Sequence, residues 1–321
     1  MWIYILRRTL ISIPVVVVAT MIVFFGMSAV TDPLSQLRLL PNVSQQTLQN
    51  IIDAKHLDDP LILQYFFWLK SVFFDSFGTT MLGSKRIWPD LSRALWHTAQ
   101  LVLVAEALAV SIAVVLGVLS AKKQYSFFDY TTTTISFIGF SVPIFWFALM
   151  LQFLAVSFFL ATGVRIFYTF GLSSPDPAYP ILDRLQHMAL PVIALLYVSV
   201  AQYSRYMRGS MLEVLHSDYV RTARAKGLPE RTVTMKHALR NALIPLVTVT
   251  ALNIGAVLGG VVITETIFAW PGMGKLFIDS LNRGELYTLM AWLLVTAIIV
   301  ILFNLLADIL YAVLDPRIRY D

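Results

Sequence analysis

Arg205-Tyr206-Met207-Arg208-Gly209-Ser210-Met211-Leu212-Glu213-Val214-Leu215-His216-Ser217-Asp218-Tyr219-Val220-Arg221-Thr222-Ala223-Arg224-Ala225-Lys226-Gly227-Leu228-Pro229-Glu230 begins a polar stretch that continues to Arg240, between two almost wholly apolar runs. A short helix with explicit ends lies at its centre. Ser217 or Asp218 is placed to cap the N-terminus, and Gly227 falls where a left-handed residue ends a helix. Pro229 suits the first turn of a following helix. Arg224 and Lys226 lie in the last turn, against the negative end of the dipole. Such a helix has about nine residues, under the roughly 12–15 at which isolated helices become marginal in water. It needs a protein surface to lean on, and its charge keeps it out of lipid.

The runs on either side set the class. Of 321 residues 58% are apolar and 13% charged, with a mean hydropathy of +0.73; a soluble domain carries about twice that charge. The apolar residues gather in runs of about 20, the length that crosses a bilayer. The chain reads as an all-α polytopic membrane protein. Its formal net charge of +5 is then a matter of topology rather than of nucleic acid. Cysteine is absent, which excludes disulfides and thiolate metal sites. His56, His97, His187, His216 and His237 show no metal-ligand spacing.

Six spans follow from the pattern. The first, Leu10 to Val30 behind Arg7-Arg8, is longer than the roughly 7–15 residues of a cleaved signal core, so it reads as an uncleaved anchor. Pro14 is tolerable there. The second runs from Thr98 to Ala121 and stops at Lys122-Lys123. The third, Thr131 to Leu160, holds Ser141-Val142-Pro143, where the proline should bend it. The remaining three are Met188 to Tyr206, Leu243 to Ile263 and Tyr287 to Leu310. Three regions result: an N-terminal helix at 1–30, an outer segment at 31–96 with amphipathic helices, and a five-span core at 97–321 containing a polar inner loop at 209–240. Within the outer segment Thr31-Asp32-Pro33 and Leu40-Pro41-Asn42 are turn material, Ser44 opens a helix, and Leu61 to Phe74 is an aromatic helix suited to the membrane–water boundary. Asn42-Val43-Ser44 fits a glycosylation sequon, most simply a chance match. Gly163 to Pro180 is an external loop. Arg7-Arg8, Lys122-Lys123, the 205–240 cluster and Arg317/Arg319 all fall on one side, which the positive-inside rule makes cytosolic, with both termini there.

Few residues suggest chemistry. Gly272-Met273-Gly274-Lys275-Leu276 lacks the first glycine and the Ser/Thr of a phosphate loop. No paired-histidine, nucleophile-elbow or carboxylate-dyad pattern occurs, so no cofactor is expected and the energy must come from elsewhere. Glu106, Arg205 and Asp308 lie in or near spans and should face the protein interior or pair. For Glu106 a structural pairing competes with contact to a solute's positive charge, and a structural pair is expected for Asp308. Asn253, Gly255, Gly259 and Gly260 line span five, with Gly255 and Gly259 spaced for close helix contact. Trp270-Pro271-Gly272 is tight-turn chemistry.

Several of these stretches carry a resemblance. Arg221-Thr222-Ala223-Arg224-Ala225-Lys226-Gly227, followed by His237-Ala238-Leu239-Arg240-Asn241-Ala242-Leu243-Ile244-Pro245, resembles the cytoplasmic coupling loop of bacterial ABC importer permeases, closest to the dipeptide/oligopeptide branch. The wider family begins this loop Glu-Ala-Ala and places a Gly after three further residues; Ala223 and Gly227 match, while Arg221 and Thr222 replace the Glu and first Ala, so no carboxylate contact transfers to position 221. Asp59-Pro60-Leu61 to Tyr65, Gly78-Thr79-Thr80, Glu265 to Gly274, and Leu314 to Arg319 also resemble that branch; Val30 to Pro33 departs from it. The resemblance implies a type I importer permease fold and peptide uptake. It implies four kinds of partner: a second permease, two cytosolic ATPases, an external solute-binding protein, and the peptide. It assigns ATPase coupling to Asp218, Tyr219, Arg221, Ala223, Arg224, Lys226 and Gly227, a translocation path to Asn253, Gly255 and Gly259, and an external gate or docking loop to Glu265, Phe268, Trp270, Pro271 and Gly272. Nickel-chelate, glutathione or glycoside permeases share this pattern. A stand-alone secondary transporter is the reading from another class, and would stack titratable residues at mid-bilayer, where this chain has only Glu106.

Overall fold

The computed structural model describes residues 2–30, 34, 38, 44–81 and 85–314. The turns expected at Thr31-Asp32-Pro33 and Leu40-Pro41-Asn42, the sequon at Asn42 and the cationic tail from Asp315 lie outside the described residues. In chain order the helices are α1 (Trp2–Val30), α2 (Gln45–Lys55), α3 (Leu61–Phe74), α4 (Ile87–Lys122), α5 (Phe127–Ser141), α6 (Ile144–Thr162), α7 (Pro180–Leu215), α8 (Asp218–Ala225), α9 (Glu230–Thr232), a π-helical turn Val233–Ala238, α10 (Leu239–Leu258), α11 (Val262–Ile267), α12 (Met273–Asn282) and α13 (Leu286–Leu314). One antiparallel bridge, Thr79 to Arg86, is the only β pairing among the described residues.

Six helical stretches are long and apolar enough to cross a membrane: Leu6–Ala29, Ile87–Lys122, Ile144–Thr162, Pro180–Leu215, Glu230–Leu258 and Leu286–Val313. Their number agrees with the hydropathy pattern, but their bounds do not. Spans two and four reach 36 residues each, because a helix once started adds charged residues such as Asp90, Arg93 and Asp183 at little cost. Span three is not one bent helix. It breaks into α5 and α6, with Val142 at φ −83°, ψ 125° and Pro143 at φ −60°, ψ 133°. Proline lacks the N–H that would continue the ladder, and it forces the residue before it into extended backbone. Span five starts earlier than expected and ends at Leu258, so Gly259 and Gly260 lie beyond it, Gly260 with φ +128°.

The chain forms two compact units. The first comprises Met1–Thr98, Leu258–Thr266 and Pro271–Ile301. Its core joins Phe24 of α1, Tyr65 and Trp68 of α3, Leu91 of α4 and Met290 of α13. Ser44 caps α2 as expected, accepting from the Thr47 N–H at 3.1 Å. Helix α3 reverses the usual amphipathic arrangement. Gln64 and Tyr65 turn inward with Trp68, whereas Phe66, Phe73 and Phe74 are exposed. Such a face suits lipid.

The second unit comprises Ala99–Val257, Ile267–Trp270 and Leu302–Asp321. Here α5 and α6 both pack on α7. Gly139 lets α5 approach until an added Cβ would stand 3.1 Å from that of Ala201. Asp129 accepts from Arg208 Nε and Nη2 at 2.6 and 2.7 Å, a two-point fork that fixes α5 on α7.

Candidate functional site

Helix α8 has the stops that its sequence announces, with changed details. Ser217 occupies the cap position, yet its hydroxyl donates to Val214 O at 2.6 Å and leaves the first helical N–H groups to other partners. Gly227 stands at φ +75° and donates to Arg224 O at 2.9 Å. Pro229 precedes α9 as its cap residue instead of lying in its first turn. The surface that α8 leans on belongs to its own chain. Val220 and Ala223 are buried with Met207 and Met211 of α7, Val233 and Ala238 of the π turn, and Ala242 of α10. The π turn widens the helix at the point where α8 packs, a common form at functional sites.

What remains outward is polar and cationic. Tyr219, Arg221, Thr222, Ala225 and Lys226 are exposed. Arg221 pairs with Asp218 one turn earlier. Arg224 instead forks onto Glu230 at 3.1 and 3.2 Å, closing the loop after α8. The Tyr219 hydroxyl accepts from Asn241 at 3.1 Å. A cavity of about 300 Å³ opens beside this loop, lined by Lys122, His216, Arg224 and Glu230.

Of the path residues, Asn253 joins a buried chain of polar groups. Its amide donates to the Tyr203 hydroxyl at 3.0 Å, and that hydroxyl donates to Glu106 at 2.7 Å. Ser199 donates to the other Glu106 oxygen at 2.9 Å. The pairing expected for Glu106 is therefore with hydroxyls; none of its partners among the described residues is a base. Gly255 and Gly259 both meet α13: an added Cβ would stand 2.5 Å from Phe303 Cβ and 2.4 Å from Thr296 Cγ2 respectively. Their small size serves close contact. Arg205 lies over the Phe137 ring at 4.6 Å, and Asp308 is half-buried in α13.

The stretch Glu265 to Gly272 is built around one carboxylate. Glu265 is fully buried. It accepts from Thr98 Oγ1 at 2.6 Å, from Gly274 N–H at 2.7 Å and from Lys275 N–H at 3.1 Å. The last two open α12, so Glu265 caps that helix from outside it. Thr98 accepts in turn from Met273 N–H at 2.8 Å. Burial raises the Glu265 carboxyl above its ordinary value, while these hydrogen bonds act the other way. Gly272 is required by proximity, since a Cβ there would lie 2.4 Å from Glu265 Oε1. Within the second unit, Phe268 is buried against Ala148, Leu190 and Ala194. Trp270 is buried with the Arg184 guanidinium 4.6 Å over its ring. Pro271 is half-buried, and its carbonyl oxygen accepts from His97 Nδ1–H at 3.1 Å. These side chains thus face inward, and any contact surface of this segment is formed by its backbone and neighbours.

Thr98, Ser199, Tyr203, Asp129 and Arg208 escaped the reading of the sequence. Glu106 gave the one available signal, because an acid inside a span demands donors, but nothing in the residue order says that span four supplies them.

Comparison with known proteins identifies the family. The family described as binding-protein-dependent transport system inner membrane component matches residues 113–320, and its N-terminal counterpart matches 1–104. The oligopeptide transport system permease protein AppB of Bacillus subtilis (strain 168) is 42% identical over 99% of both chains. The dipeptide transport system permease protein DppB of Escherichia coli (strain K12) is 35% identical over 99% of this chain and 98% of its own. A chain of the MetNI methionine ABC transporter, solved in inward-facing form, superposes with TM-score 0.55 at 18% identity, covering 70% of this chain and 96% of that one; at that identity the likeness concerns fold. The chain belongs to the family of inner-membrane components of binding-protein-dependent transport systems.

Proposed function

We propose that this chain is a permease subunit of an ATP-driven importer of di- and oligopeptides. The observation that carries the reading is end-to-end similarity, at 42% identity, to a protein named as an oligopeptide permease. The chain lies in the cell's inner membrane with both termini and α8 in the cytosol, as the distribution of Arg and Lys suggests. A second, related permease completes the solute path, an external binding protein delivers the peptide, and two cytosolic ATPases supply the energy. This subunit itself catalyses nothing.

The exposed face of α8, with Tyr219, Arg221 and Lys226, sits in a groove of one ATPase. Because Val220 and Ala223 anchor α8 to α7 and α10, a displacement of the ATPase reaches those spans through a packed contact. Asp218, Arg224 and Gly227 maintain the shape of this finger. Asn253 lines the path through its bond to Tyr203, and Gly255 and Gly259 let α13 close beside it. The Glu265 to Gly272 segment forms the outer gate, its buried side chains holding the surface that meets the binding protein.

The test is reconstitution. The assembled complex in liposomes should accumulate labelled dipeptides or oligopeptides only with ATP inside the ATPase compartment and with the binding protein present. Uptake by this chain alone without ATP would make it a secondary transporter. Accumulation of a nickel chelate, glutathione or a glycoside, with no peptide uptake, would overturn the cargo assignment alone.

A further inference from the structure

The break between α5 and α6 lies at a depth where a membrane helix rarely breaks. Before it, Gly139 packs on Ala201 and Tyr197 of α7; after it, the Phe147 ring stacks on Tyr197 at 4.0 Å. Tyr197 is midway along the apolar run Met188 to Tyr206. At the same level Ser199 bonds Glu106, which stands about 24 Å of helix short of Lys122 at the end of α4. Ile135, Phe137 and Ile138 of α5 are apolar and exposed, so the lipid-facing surface continues on the cytosolic side of the break. Val142 and Pro143 therefore sit deep in the bilayer.

The backbone at this point is open. Val142 N–H still reaches Ile138 O, and Phe147 N–H reaches Pro143 O, both at 3.1 Å. Between those bonds, no hydrogen bond among the described residues reaches the carbonyls of Gly139 to Val142 or leaves the N–H groups of Ile144 to Trp146. Pro143 has no N–H to offer. The flank is not covered by its own chain either, for Ser141, Pro143, Phe145 and Trp146 are exposed. Hydrocarbon cannot satisfy such groups, and irregular backbone at this depth is tolerated only inside protein or beside water. A protein neighbour would have to bring donors for the end of α5 and acceptors for the start of α6 to one spot, whereas water supplies both. Helices broken near the bilayer midplane are also how membrane transporters present backbone to a solute.

We propose that the open flank of this break, Ser141 to Trp146, is a wall of the water-filled path that the peptide follows, and not a lipid face. The inference rests on the importer reading and deepens it, adding span three to a path that the residue pattern placed on span five. Phe145 and Trp146 give the same wall an apolar surface that suits side chains of many kinds.

The experiment uses the assembled complex with Ser141→Cys or Phe145→Cys, two positions so that one variant that fails to assemble does not end the test. The natural chain has no cysteine and gives no background. A charged methanethiosulfonate reacts with thiolates, which form in water and not in hydrocarbon. In nanodiscs it should label both positions, and in liposomes its attachment should abolish the peptide uptake that the same complex shows before treatment. Labelling by an uncharged, membrane-soluble maleimide alone marks a lipid face and overturns the proposal. So does labelling by neither reagent until the complex is taken apart, which marks a contact between permeases. Failure of the importer reading looks different: the cysteine-free complex then shows no ATP-driven peptide uptake, while the charged reagent still reports whether water reaches the break.

Discussion

Three donors converge on Glu265, one from distant Thr98 and two from the first turn of α12. Glu265→Ala strands those donors in the interior and should cost about 3 kcal/mol or more, since each unmet buried group is worth about 1–3 kcal/mol. Thr98→Val removes one donor and the acceptor of Met273 N–H, and should cost about half as much. Thermal unfolding of the purified chain in detergent measures both. The pH dependence has a definite sign. The folded carboxyl titrates above its ordinary 4.5 because of burial, so its stabilising share is complete in acid below that value and declines as pH rises through the raised one. The melting temperature of wild type relative to Glu265→Gln should therefore be most favourable in acid and fall as pH rises; a gap that is flat or widens with pH contradicts this. Glu265 was legible only through the resemblance that the Glu265 to Gly274 stretch carries, and its partner Thr98 lies 167 positions away. Local patterns do not carry such pairings.

At the scale of elements, three sites separate backbone geometry from packing. Gly227 has open space for a side chain but a left-handed φ of +75°, so Gly227→Ala should strain the end of α8 by about 1 kcal/mol. Gly227→Pro also loses the bond to Arg224 O and should uncouple ATP hydrolysis from peptide in the assembled complex. Unchanged peptide-stimulated ATPase activity in Gly227→Pro would remove α8 from the coupling role. Gly255 is the opposite case: an added methyl stands 2.5 Å from Phe303 Cβ, and Gly255→Ala should destabilise by about 1–3 kcal/mol through overpacking. Gly209, mid-helix in α7 with nothing within 4 Å, provides the control, since Gly209→Ala should stabilise by about 0.5–1 kcal/mol. The ends of α8 could be read directly from Ser217 and Gly227. Its support could not, because Val220 and Ala223 look unremarkable until α7 and the π turn fold beneath them. Pro143 was visible as a disturbance, whereas the choice between a bend and a break depends on Val142 taking extended backbone.

For the whole molecule, hydropathy carried most of the fold. Six apolar stretches were visible because lipid allows little charge within a span, and the structure keeps all six. Their lengths were hidden, since α4 and α7 continue past the apolar runs through residues that ordinary water-facing helices also use. The polar chain Asn253–Tyr203–Glu106 was equally hidden, being assembled from three separate spans. Coupling to ATP hydrolysis requires α8 to lie on the cytosolic side and to touch an ATPase. The chain has no cysteine, so single cysteines can be placed without background at exposed Arg221 and Ala225 and at buried Val220. In the assembled, active complex a short bifunctional reagent should link Arg221→Cys and Ala225→Cys to an ATPase subunit and leave Val220→Cys unlinked. Labelling of Arg221→Cys by a membrane-impermeant maleimide on intact cells, or no ATPase adduct from either exposed position, would contradict it.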